Sequence, residues 1–144
     1  MANICFIDDC AELADLAALV LNRFGHRTTY HPETTTDLIL LDEYLDTSAM
    51  WNAVRCGDES GLLKARLEMS LSYLKTLKYI HKLRQDGYSN MICVMVGAGL
   101  ATPEELSHFY IKAGADYVIN KPLNLTKFAA EELPLLLTRK LTMH

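Results

Sequence analysis

No stretch of this 144-residue chain is both apolar and long enough to cross a bilayer. The longest uncharged apolar run, Met91 to Ala101, holds eleven residues and two glycines, against about 20 for a spanning helix. A basic segment at the start is also missing: Met1 leads straight into a strand-like run, so no signal peptide is expected and a cytoplasmic location is. Lys and Arg come in ones and twos and the net charge is -4, which excludes a strong positive field for phosphate backbones. Direct nucleic-acid binding is not expected. Cys5, Cys10, Cys56 and Cys93 form no CxxC pair and have no histidine at ligand spacing, so no zinc or redox centre is encoded locally. Reduced thiols are expected, with Cys5 and Cys93 as small core residues and Cys10 as structural. His26, His31, His81, His108 and His144 show no catalytic or metal spacing and read as surface residues.

What is present is ordinary globular material. Half of the residues are apolar and 22% are charged, which suits one ordered domain over residues 1–144. Asn3 to Ile7 is a short apolar run that stops at Asp8 and Asp9, a buried strand leading into a polar loop. Leu13, Leu16, Ala17, Val20, Leu21 and Phe24 then recur at helical spacing until Gly25. Arg27 to Tyr30 reads as a second strand closed by Pro32, and Leu38 to Leu41 as a third that ends at Asp42.

From Glu59 to Gln85, leucines and isoleucines recur at three and four, so a long amphipathic helix is predicted; its C-terminal half should cover the sheet. Met91 to Val96 is an all-apolar strand. Thr102, Pro103 and Glu105 supply an N-cap, an N1 proline and a capping-box glutamate for a helix to Ala113, with Gly114 as its stop. Tyr117 to Ile119 is the last strand, and Leu125 to Lys140 a final helix interrupted by Pro134. Alternating strands and helices with continuously apolar strands predict a parallel sheet covered on both faces.

In such a sheet, ligands bind at the carboxyl ends of the strands, near the switch in strand order. Asp8, Asp9, Asp42 and Lys121 all stand just after a strand. Three crowded carboxylates repel one another unless a cation joins them. Oxygen ligands from Asp8, Asp9, Asp42 and the Tyr44 carbonyl suit Mg²⁺ or Mn²⁺ better than zinc. A carboxylate can act as nucleophile and form an acyl phosphate, with Lys121 as the opposing point charge.

The segments Ile4–Cys10 (ICFIDDC), Asp37–Asp42 (DLILLD) and Lys112–Pro122 (KAGADYVINKP) stand in the order found in response-regulator receiver domains, which the chain resembles over all but roughly its middle third. The resemblance implies a doubly wound, flavodoxin-like parallel sheet of five strands in the order 2-1-3-4-5. It implies a module that is no enzyme beyond self-catalysed phosphoryl transfer and autodephosphorylation. Asp42 is then the phosphoacceptor, Asp8 and Asp9 help hold Mg²⁺, and Lys121 contacts the phosphoryl oxygens. A histidine kinase or phosphotransfer protein would supply the group, and a downstream protein would read the result.

The sequence also departs from the family. Gly97 stands where a Thr or Ser hydroxyl is usual, and Val118 where an aromatic switch residue is usual, so the ordinary coupling is missing. Only seven residues, 31–37, join the second and third strands; at ~3.3 Å each they span about 23 Å, enough for an extended return but no helix. The family's second helix is therefore expected to be lost. Its third is expected to be extended, with an insertion over about 43–65 whose core, Asp46 to Asp58, packs over the face left bare. Two functions compete: a receiver without a fused output domain that signals by protein contact or phosphorelay, and a degenerate receiver acting as a phosphorylation-independent binding module. A metal-dependent phosphohydrolase is a third, opposed by the lack of a separate general acid.

Overall fold

The computed structural model describes residues 1–8, 10–42, 55–96, 103–120 and 124–142. Five strands, β1 (Asn3–Ile7), β2 (Arg27–Thr29), β3 (Leu38–Asp42), β4 (Met91–Val96) and β5 (Tyr117–Asn120), form one sheet. All pairings are parallel and the order is β2-β1-β3-β4-β5. The chain runs outward from β1 to β2, then crosses back to β3 on the other side of β1. The switch point thus falls between β1 and β3.

Side chains alternate between the two faces of each strand, and the core divides accordingly. On the first face Ile4, Phe6, Leu38, Leu40, Cys93 and Met95 pack with Ala14, Ala17 and Leu21 of helix α1 (Ala11–Arg23) and with Phe128 and Leu133 near the C-terminus. On the second, Cys5, Ile39, Leu41, Ile92, Val94 and Val96 pack with Ile80 of α2 (Glu59–Gln85) and Tyr110 of α3 (Pro103–Ala113). Every residue of β3 and β4 is buried, which is why both strands are apolar except at Asp42, where β3 ends. Each such Leu or Ile stabilises the fold by about 1.5–3 kcal/mol.

Residues 30–37 form no helix, so the second helix of the resemblance is absent. β2 is one residue shorter than its pattern suggests: Tyr30 lies beyond it and donates its hydroxyl to Asp15 at 2.8 Å. The return to β3 is fastened at its far end. Asp37 accepts the Asn3 N–H through Oδ2 and donates its own N–H to the Asn3 carbonyl, both at 2.8 Å, and Asn3 Nδ2 donates to Thr35 O at 3.0 Å.

Helix α2 is the extended one, with 27 residues, and Asp58 caps it by accepting the Gly61 N–H at 3.0 Å. Leu63 near its start is exposed, whereas Ile80 is buried and Leu77, Tyr79, Leu83 and the following Tyr88 pack onto the cluster containing Cys5 and Ile39. The second face beside the missing helix is thus covered by the C-terminal half of α2. Most of the insertion, residues 43–54, lies outside the described residues, as does Thr102, the expected cap of α3.

The last helix departs from a simple Pro134 break. Short α4 (Leu125–Lys127) continues through a π-helical turn (Phe128–Glu132) into α5 (Leu133–Thr142). Leu133 donates to the Phe128 carbonyl five residues back. Widening the turn ahead of Pro134 eases the clash of its ring with the carbonyl of residue 130, so the helix continues without stopping. Among the described residues no helix is long and apolar enough to cross a membrane.

One histidine is not a surface residue. His26 is half-buried, and its Nδ1 accepts the Ala2 N–H at 3.1 Å. Burial, and then the positive N-terminus nearby, hold the imidazole below its usual range. The unfolded chain therefore takes up the proton first as pH falls below about 6.5. Stability from this contact is complete above that pH and declines as pH drops through the lower folded value. His26→Gln should flatten the fall in Tm between about pH 7 and 5. An unchanged slope would refute the assignment.

Candidate functional site at the carboxyl edge of the sheet

β3 ends at Asp42, which is only 2% exposed although it carries a carboxyl group. β1 runs beside it in register, with Ile7 opposite Leu41, so Asp8, the residue that follows β1, leaves the sheet at the same edge as Asp42. Asp42 shares the parity of Leu38 and Leu40 and so rises from the first face of the sheet. Asp8 is half-buried. Its Oδ1 accepts the Cys10 N–H at 2.9 Å, and its Oδ2 is out of solvent. This turn starts α1: Cys10 takes the N-cap position and its carbonyl accepts the Ala14 N–H at 3.1 Å.

Carboxylates gathered at one edge of a sheet repel each other when both are ionised. Their oxygen-only chemistry suits a hard divalent cation. Among the described residues no group of three His, Cys, Asp or Glu side chains is close enough to hold a metal. Asp9 and Tyr44, the other expected ligands, lie outside the described residues, as do Lys121 and Gly97. The geometry around them is described: Met95 pairs with both Asp42 and Ile119, so β5 finishes at the same edge, one residue before Lys121. Val118 is half-buried against the second-face cluster, opposite Val94, while Tyr117 packs on the first face.

Cys10 differs from its structural reading. Its thiol is exposed, and only its backbone serves the turn. Cys56 is exposed as well, whereas Cys5 and Cys93 are buried. Burial pushes the Cys5 thiol up to about 11 and Cys93 up to about 12, leaving little thiolate to react. Ellman's reagent should titrate two thiols in the native protein and four in guanidinium. Reaction of all four at the fast rate would mean that the sheet opens readily.

The opposite edge holds a polar cluster that periodicity did not reveal. Arg84 near the end of α2 donates from Nε to Gly114 O at 2.9 Å and from Nη1 to Tyr88 O and Asn90 O at 2.8 and 2.7 Å. Its Nη2 reaches Asp116 Oδ2 at 2.9 Å, and that oxygen also accepts the Ile92 N–H at 2.9 Å. Gly114 sits at φ +126°, and a Cβ there would lie 2.9 Å from Arg84 Cγ. The glycine is required twice over, by conformation and by the close approach of the arginine stem.

No family model matches the sequence, and no curated relative does. Solved structures do. A response regulator receiver domain protein from Clostridium thermocellum superposes with a TM-score of 0.67 at 13% identity, over 100% of both chains. A CheY-like receiver domain protein from Methanospirillum hungatei gives 0.64 at 16% identity, over 100% of this chain and 99% of its own. A response regulator from Thermotoga maritima gives 0.59 at 14% identity, over 96% and 98%. The chain therefore has the fold of response-regulator receiver domains.

Proposed function

We propose that the chain is a phosphoacceptor receiver, and that Asp42 takes the phosphoryl group in a Mg²⁺-dependent reaction. The observation that carries this reading is the burial of Asp42 at the end of β3, beside the end of β1 where Asp8 follows, at the switch point of a receiver fold. Asp8, Asp9 and Asp42, with the Tyr44 carbonyl, would hold Mg²⁺ or Mn²⁺; bound there, the ion would offset negative charge on the phosphoryl group. Asp42 is held at the strand end as the nucleophile. Its neighbour Asp8 is fixed by the turn to α1, and Lys121 supplies a compact positive charge after β5. The phosphoryl donor is a histidine kinase or phosphotransfer protein, and the reader is another protein.

The second reading, a phosphorylation-independent binding module, is favoured by Val118. This half-buried aliphatic residue cannot act as an aromatic rotamer switch. Intact mass after incubation with acetyl phosphate and Mg²⁺, for wild type and Asp42→Asn, separates the two.

A further inference from the structure

We infer that the groove between α2 and α3 docks an acidic segment of a partner protein, one that inserts apolar side chains between flanking carboxylates. The groove has a volume of about 340 Å³, room for a few apolar side chains. Leu77 and Ala113 form its apolar base, and Lys78, His81, Lys82 and Gln85 line the α2 side. These α2 positions recur at helical spacing, so they share one face of the helix. Phe109, one turn before Ala113 on α3, is about half exposed and by its helical spacing lies on the same side of α3 as Ala113.

Charge selects the occupant. The protein as a whole is acidic, at -4, yet from Met69 to Gln85 helix α2 has no Asp or Glu. Lys75, Lys78 and Lys82 are exposed along this stretch, and Lys112 is exposed on α3. Arg84 is occupied by Asp116 and adds nothing to the rim. The first carboxylate beyond the helix, Asp86, lines a separate depression with Glu33 and Tyr88. A basic rim around an apolar base favours an acidic amphipathic peptide over a neutral one, and charge complementarity adds specificity to apolar anchoring. The groove bears on the partner side of the functional reading but does not depend on its phosphoryl chemistry.

The test is selection from a random display library of short peptides on the immobilised unphosphorylated protein, followed by fluorescence anisotropy of the enriched peptides. Enriched sequences should be net negative with apolar residues between the acids. Their binding should weaken as salt rises and fall at least about tenfold in Lys78→Glu/Lys82→Glu. Both lysines are exposed, so the variant should keep wild-type circular dichroism; Ala113→Arg, which fills the base, should weaken binding too. Asp42→Asn should bind like wild type, which separates this result from loss of phosphoryl transfer. No enrichment, enrichment of basic or neutral peptides, or equal binding by both groove variants would overturn the proposal. So would tight binding of a DNA duplex that the lysine reversal abolishes.

Discussion

Incubated with acetyl phosphate and Mg²⁺, the wild-type protein should gain one phosphoryl group, and Asp42→Asn should gain none. An amide has nearly the volume of the carboxylate, so the variant keeps the buried end of β3 filled. It lacks the anionic oxygen that would attack phosphorus. Because Asp42 would also contribute a metal oxygen, the substitution should weaken Mg²⁺ binding as well. Chelation with EDTA should abolish labelling of the wild type, since the neighbouring carboxylates would then repel the incoming phosphoryl oxygens. Equal labelling of Asp42→Asn would place the acceptor elsewhere. Unlabelled wild type, with the fold intact, would favour the binding-module reading.

The second large effect lies at the other end of the sheet. Arg84→Ala should destabilise the protein by about 3 kcal/mol, because a single side chain joins the turn after α2 to the turn before β5. For a domain of this size that is a fall in Tm of roughly 10 °C. Its loss frees the carbonyls of Tyr88, Asn90 and Gly114 together and leaves the Asp116 carboxylate without its cation. Arg84→Lys should recover little, since one ammonium on a flexible stem cannot span four acceptors held in a planar fork. Phosphoryl transfer should persist in whatever fraction remains folded. A loss under 1 kcal/mol by urea denaturation would mean that water replaces these bonds at little cost.

Much of the fold was legible because its strands are unambiguous. Met91–Val96 and Leu38–Leu41 are apolar without interruption, as only a strand buried on both sides requires. The shortness of the segment before Leu38 excluded a crossover helix, since geometry limits what so few residues can do. The shared edge of Asp8 and Asp42 was legible for a similar reason: each follows an apolar strand, and parallel strands deliver their ends to one side.

Other features depend on neighbours distant in sequence. Arg84 looks like any lysine-rich helix residue until Gly114 and Asp116 are brought beside it. His26 stands alone in the sequence, and only the start of β1 gives its ring nitrogen a donor. Lys78 and Lys82 read as scattered charges, and the docking of α3 against α2 sets them beside an apolar base. The π-helical turn was hidden because Pro134 signals a disturbance without saying whether the helix stops or widens.

The contact between Gly114 and Arg84 also limits how this sequence can change over time. A side chain at 114 would strike the arginine stem as well as strain the backbone, and of these two costs a smaller residue at 84 relieves the contact. A smaller residue at 84 in turn leaves Asp116 charged with no counterpart, which favours a neutral residue there. Positions 84, 114 and 116 should therefore drift as a linked set among descendants. In a directed-evolution experiment that begins from Gly114→Ala, compensating changes should appear at 84 before they appear elsewhere.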